Sequence, residues 1–471
     1  MFKQGMTIDD YIKYLQGMNK EIGDSSLLFG IISAYPVFMV LAVFTVIAIC
    51  MYQLKVKGIP TRDFEIGLII VVPAAVLGAS IFGKIFLPNY QQWSNVFKIV
   101  FFWEPGTSFF GCLFFGVVSG LIWFSYRSKE TRISTWVYFD IIVVNILIGQ
   151  AIGRWGNLYN HEIMGWDVDY DQIKWLPSFI RNRLFYFPNF GEFKTINGEY
   201  LPLDWVSKYK ENTAFLTDYV NASNTLLSEV VQEKIQFKAP IFLIEGILNI
   251  TLWLILTFGV KNIHKVINYK NNPWVTQPKA FPIHWNKNYK SLPQKEIVEW
   301  PTLSTIKYKK TKEGELTLSL KNVWRKAFFW KTPDYEQNVQ LFNKNEEWKK
   351  QYNIDKKKLS KKMFKDKYNI QIRIFNINPY SKEITKANNP ENFKVIMSGV
   401  LTGCYIFGYG LIRIVLETSR RPTEYIISNH PIADFIVLSL ILTIGIFIIC
   451  INQFISPKKW REVGWLYEKS Y

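Results

Sequence analysis

The sequence predicts an all-α polytopic membrane protein with seven transmembrane helices, N-terminus outside and C-terminus cytoplasmic, and three observations predict it. Of 471 residues 49% are hydrophobic and 17% aromatic, yet the mean hydropathy is only +0.03, so strongly apolar segments are averaged with strongly polar ones. Seven apolar runs approach or exceed the roughly 20 residues that cross hydrocarbon: 27 to 54, 66 to 88, 108 to 126, 133 to 152, 240 to 260, 397 to 416 and 432 to 456. Lys and Arg then segregate by side. KVKGIPTR at 55 to 62, RSKETR at 127 to 132, the segment after 260 and the tail from Lys458 share one face, which is expected to be cytoplasmic.

Residues 1 to 26 form an outer N-terminal segment too polar for a signal-peptide core and without a small-residue cleavage pattern. The first span is therefore expected to act as an uncleaved signal. Residues 27 to 165 hold the first four spans and end in GRWGNLYNHEIMG, Gly153 to Gly165. This block sets Arg154, Asn157, Asn160 and Glu162 directly after an apolar run, at a depth where ionisable groups are costly and rarely accidental. Arg154 offers a planar fork of donors suited to a phosphate, which the Asn and Glu side chains can orient. The block reads as a lipid headgroup site; the plainer reading is a set of hydrogen bonds that tie off a helix end.

Residues 166 to 239 have nearly balanced charge and several aromatics, as expected of a small outer head or amphipathic arms. The fifth span, 240 to 260, opens with APIFLIEGI and carries Glu245 about one turn inside, where it needs a cationic partner. Residues 261 to 394 hold 29 Lys and Arg against 12 Asp and Glu, nearly all of the chain's net charge of +18. This basic insertion is expected to be cytoplasmic. Runs such as DKKKLSKKMFKDK at 355 to 367 fit anionic membrane lipids by charge, whereas a nucleic-acid partner is not expected; the plainer reading is a solvated insertion. Its tryptophans, Trp274, Trp285, Trp300, Trp324, Trp330 and Trp348, argue against full disorder.

Residues 395 to 456 carry the last two spans, and 457 to 471 the cytoplasmic tail. The sixth span ends in GYGLIRIVLETSRRP, Gly408 to Pro422, where Arg413, Glu417 and Arg420 recur at spacings of four and three and share one helix face. A self-neutralising Arg413 and Glu417 pair is the structural alternative to a headgroup site. Cys50, Cys112, Cys404 and Cys450 fall within spans, and the chain has no CxxC or HExxH pattern, so neither a disulfide framework nor a bound metal is expected.

The Gly153 block resembles the signature of the prolipoprotein diacylglyceryl transferases, G-R-x-G-N-F-x-N-x-E-x-x-G, with Leu158 in place of Phe. GYGLIRIVLETSRRP is similar to that family's Y-G-x-x-R-F-x-x-E-x-x-R-x-P, with Ile414 at the aromatic position. APIFLIEGI is similar to H-P-x-Q-L-Y-E, keeping Pro240, Leu243 and Glu245 but carrying Ala239, Phe242 and Ile244 elsewhere. ISAYP at 32 to 36 resembles I-R-W-Y-G through Tyr35. WEPGTSFFGCLFFG at 103 to 116 resembles W-E-G-G-L-S-F-H-G-G-L-L-G, with Phe110 at the His. The resemblance covers the membrane core and neither insertion.

The resemblance implies a seven-helix enzyme of the bacterial plasma membrane that moves the diacylglyceryl group of phosphatidylglycerol to the lipobox cysteine of a prolipoprotein, without a cofactor. It assigns catalysis to Arg154, Arg413, Glu162 and Glu417. Substrate binding falls to Arg154, Asn157, Asn160, Tyr35, Glu245 and Arg420. Phe110 leaves the general base open, and His161, beside Asn160, is one substitute. The alternative is a diverged, non-catalytic lipid- or lipoprotein-binding membrane protein. A transporter would be expected to show discontinuous helices or an internal repeat, and neither is evident.

Overall fold

The computed structural model describes residues 27–28, 32–57, 59–85, 90, 96–101, 108–159, 165–181, 184–186, 236–268, 272–276, 293–297, 305–310, 316–318, 323, 335–389, 392–419 and 430–462. It is mostly helical. Six described helices are long and apolar enough to cross a membrane: Ala34–Lys57, Arg62–Lys84, Thr135–Tyr159, Ile241–Ile267, Val400–Glu417 and Pro431–Lys459. A further helix, Phe109–Thr131, occupies the expected run 108 to 126. Their side chains are arranged inside out relative to a water-soluble protein, with Ile69 73% and Ile432 77% exposed, as lipid-facing positions require.

In chain order we label Ala34–Lys57 α1, Arg62–Lys84 α2, Phe109–Thr131 α3 and Thr135–Tyr159 α4. Tyr170–Ile173 is α5, Ser178–Arg181 α6 and Ile241–Leu254 α7. The basic insertion supplies α8, Tyr335–Lys358, α9, Lys361–Lys367, α10, Ile370–Phe375, and α11, Ser381–Asn388. Val400–Glu417 is α12 and Pro431–Cys450 is α13.

Two expectations are corrected in detail. The first span begins at Ala34 rather than 27, because Leu27–Leu28 and Ile32–Ser33 pair as a short antiparallel hairpin. The fourth runs on to Tyr159 rather than ending at 152, so Arg154 and Asn157 are helical residues; inward-facing polar groups let a helix continue where hydropathy alone would end it.

The chain divides into two compact units. The first comprises 1–47, 145–254 and 406–443, and the second 48–144, 255–405 and 444–471. In the first, segments 165–168 and 237–239 run side by side, with Val168 N–H donating to Phe237 O at 3.0 Å and Ala239 N–H to Trp166 O at 2.9 Å. A small core of Leu158, Ile173, Leu176, Ile180, Leu184 and Phe242 sits beside them. This is the described part of the expected head: it ties the end of α4 to the start of α7.

In the second unit, buried charges find partners among helix ends. Arg127 pairs with Asp63 at 2.7 Å. Asp140 of α4 accepts from Gly399 N–H at 2.8 Å, Thr402 N–H at 2.8 Å and the Thr402 hydroxyl at 2.7 Å, so a carboxylate from another helix caps α12 at its positive end. A π-helical turn at Ile451–Ile455 follows α13. From it Gln453 accepts from Met397 N–H at 3.1 Å and donates to Val395 O at 2.8 Å, holding the turn into α12.

The basic insertion leaves and returns at one point. Asn268 donates to Lys394 O at 2.9 Å and accepts from Lys394 N–H at 2.9 Å. Within the insertion, Pro293–Ile297, Thr305–Lys310 and Leu316–Leu318 form a three-stranded antiparallel sheet. Helices α8 and α9 close on aromatic rings, with Trp348 and Tyr352 stacked at 5.4 Å and Tyr352 edge-on to Tyr368 at 4.9 Å. Of the expected ordering tryptophans, Trp348 and Trp274 are described, and the other four lie outside the described residues.

Candidate functional site

Four charged residues from three segments far apart in sequence meet within the first unit. The Arg154 guanidinium lies 2.6 Å from Glu245 Oε1, and Arg413 reaches Glu245 Oε2 at 3.9 Å and Glu417 Oε2 at 2.9 Å. The Glu245 and Glu417 side chains are 0% exposed, Arg413 8% and Arg154 17%, so Arg154 forms the accessible edge. Asn157, one turn on, accepts from Arg154 at 3.5 Å. Tyr409 is a further hydrogen-bond partner of Arg154.

Local sequence explains each placement. Arg154 and Asn157 share a face of α4 at a spacing of three, and Arg413 and Glu417 share one of α12 at four. Tyr409 stands one turn before Arg413 on the same face. Glu245 faces inward one turn into α7, where Trp155 packs edge-on against Phe242 at 5.6 Å. Gly156 admits Tyr35: a Cβ there would stand 2.8 Å from its ring, so the aromatic at the start of α1 lies against α4.

The expected site residues Arg154, Asn157, Glu245, Arg413 and Glu417 thus come together, with Tyr35 beside them. Asn160, Glu162, Arg420 and His161 lie outside the described residues. Phe110 is in α3, but its side chain is not described. Among the described residues no three His, Cys, Asp or Glu side chains converge as a metal site would need.

Two residues were not singled out by sequence reasoning. Tyr409 belongs to the Y-G of the sixth-span motif, and its spacing of four from Arg413 is the signal that could have found it. Asn249 is one turn beyond Glu245 in α7 and 0% exposed, and neither atom of its amide has a hydrogen-bond partner among the described residues. Buried amides are normally satisfied. Its spacing of four from Glu245 placed it on the same face, but an Asn within a span carries no motif of its own.

The arrangement couples two forked cations to two buried carboxylates inside a helical membrane protein, the equipment for taking up an anionic headgroup and neutralising itself without one. That is the class the fold and cluster define. Residues 26–272 match the family model described as prolipoprotein diacylglyceryl transferase, and the chain belongs to that family. It is similar to the phosphatidylglycerol–prolipoprotein diacylglyceryl transferase of Halalkalibacterium halodurans, at 33% identity over 132 residues, covering 27% of this chain and 44% of the relative. That of Clostridium botulinum is 33% identical over 138 residues, covering 29% and 52%. That of Streptococcus pneumoniae is 28% identical over 151 residues, covering 32% and 55%. The chain spans about half the length of the curated relatives it matches.

Proposed function

We propose that the chain transfers the diacylglyceryl group of phosphatidylglycerol to the lipobox cysteine thiol of secreted prolipoproteins. The sulfur forms a bond to the glycerol carbon of the diacylglyceryl group as the bond from that carbon to the phosphate oxygen breaks, so the products are a thioether and glycerol phosphate. The observation that carries this reading is the Arg154–Glu245–Arg413–Glu417 cluster, built from three of the family's motifs.

In this reading Arg154 and Arg413 hold the phosphodiester and stabilise the charge that develops on the leaving phosphate. Asn157, Asn160 and Tyr35 orient the headgroup, while Glu162, Glu245, Glu417 and Arg420 position the forks. With two carboxylates against two guanidiniums the resting cluster is neutral. An incoming phosphate therefore competes with Glu245 and Glu417 for the same donors, and its arrival reorganises the pairs. The thiol, with an ordinary pKa of about 8.5, gives its proton to water or to a carboxylate released by that exchange, a route that needs no His at position 110. The reading places seven spans in a bacterial plasma membrane, N-terminus outside and C-terminus inside, with the site at the outer ends of α4 and α12.

Phe110, at the family's His position, favours a second reading, a lipid- or lipoprotein-binding relative without turnover. Incubating the purified protein with phosphatidylglycerol and a lipobox peptide separates the two. Equal amounts of glycerol phosphate and diacylglyceryl peptide are expected; bound phosphatidylglycerol with neither product assigns the second reading.

A further inference from the structure

The basic insertion carries a surface whose composition is unusual for one facing water. Helix α10 is capped at its start by Asn369, whose side chain accepts from Ile372 N–H at 2.9 Å, and is followed by Asn376 in the left-handed conformation, φ 49°. It exposes Ile370, Ile374 and Phe375 to 57%, 65% and 59%, and α9 exposes Met363 to 58%. Ile370 and Ile374 are one turn apart on a single face. In the preceding stretch of chain Lys356, Lys357, Lys358, Lys361, Lys362 and Lys365 are all exposed. From 355 to 375 eight Lys and Arg stand against Asp355 and Asp366 alone.

This surface is fastened to the end of the last span. The Trp460 indole donates to Phe375 O at 2.8 Å, Asn378 N–H to Lys459 O at 2.9 Å, and the Ser381 hydroxyl to Arg461 O at 3.0 Å. The span keeps lipid-type exposure to its end, with Phe454 63% and Ile455 44% exposed. The exposed apolar residues of α10 therefore lie just beyond the lipid-facing belt, at the level where headgroups begin. An exposed apolar face next to a run of exposed lysines, at that level, is the make-up of a segment lying in a membrane interface.

We propose that α9 and α10 form a peripheral foot that rests on the anionic leaflet beside the last span. Ile370, Ile374 and Phe375 enter the boundary between headgroups and acyl chains, and the lysines hold lipid phosphates from above while their stems lie along the apolar surface. The ligand class is the anionic phospholipid headgroup, met as a surface. This is independent of the transfer reaction, and its test reads no turnover.

Backbone amide exchange of the full chain is compared in single-copy nanodiscs of phosphatidylcholine alone and of phosphatidylcholine mixed with phosphatidylserine, an anionic lipid that is not the proposed substrate. Exchange across 361–377 is expected to slow by about tenfold in the anionic discs, since lysines near such a surface are drawn to it, and to recover in high salt. The variants Ile370→Glu with Ile374→Glu, and Lys361→Gln with Lys362→Gln and Lys365→Gln, should each lose the protection. Unchanged exchange in α8 shows that both remain folded. Equal exchange in the two disc types, or protection unmoved by either variant, would each overturn the proposal.

Discussion

Glu245 receives a guanidinium on each carboxylate oxygen, so the residues around it are coupled and single substitutions report on more than one effect. Arg154→Ala and Arg413→Ala are each expected to cut transfer by about 10²- to 10³-fold, the usual result of removing one charge-stabilising donor. Each also leaves a buried carboxylate short of a partner, at a cost of about 3 to 5 kcal/mol. The double variant Arg413→Ala with Glu417→Ala removes one charge of each sign. It should recover much of the thermal stability that Arg413→Ala loses while staying inactive, an outcome that thermal unfolding and product assay on the same samples check directly. Asn249→Leu should raise the unfolding midpoint, because an unsatisfied buried amide costs about 1 to 3 kcal/mol; a lowered midpoint would show that the amide has a partner in the lipid-embedded protein. Phe110→His should alter the rate only modestly, and an inactive native protein that becomes active on this change would favour the binding-protein reading. The motif residues were legible because chemistry at membrane depth is rare enough to stand out. Asn249 was not, since a lone Asn on an apolar face shows its significance only when its surroundings are known.

Helices α8 and α9 show how a lysine-rich segment acquires a fixed structure. Asp355 accepts from Lys367 at 2.5 Å, from the Tyr368 hydroxyl at 2.7 Å and from Gln351 at 2.8 Å, and the Tyr368 ring packs on Tyr352 and Phe364. The hydrogen bonds from Lys367 and Tyr368 hold the Asp355 carboxyl below its usual range, and burial, with the neighbouring carboxylate, pushes the Tyr368 phenol up to about 12. Two pH limits follow. A lowered carboxyl pKa contributes stability that is present above the unfolded value of about 3.9 and is lost as pH falls through the folded one. A raised phenol pKa contributes stability that is complete below about 10 and is lost as pH rises towards 12. Amide protection across α8 and α9 should therefore weaken at both extremes, and Asp355→Asn should flatten the acid limb. The aromatics of the insertion indicate order, but Asp355 in a run of lysines carries no pattern of its own. Its role depends on Tyr368, thirteen residues away, and spacing within one helix could not reveal it.

Across the whole chain, the helical membrane class and the positions of the spans were legible from apolar run lengths, and their ends were displaced where polar side chains turn inward or short hairpins precede a helix. The convergence of α4, α7 and α12 was legible only as a charge left needing a partner: Glu245 called for an arginine, and two were present. Replacing 271 to 391 with a short flexible linker should leave the membrane core folded and transfer intact in detergent. A well-inserted deletion variant without activity would show that the insertion takes part in the reaction. The reason for expecting success is the pair of hydrogen bonds between Asn268 and Lys394, which holds the two borders of the insertion together. A chain whose excursion starts and finishes at one place can change its cargo without changing its frame. A fluorescent reporter fitted at this port is expected to leave the fold of the helices that border it unchanged.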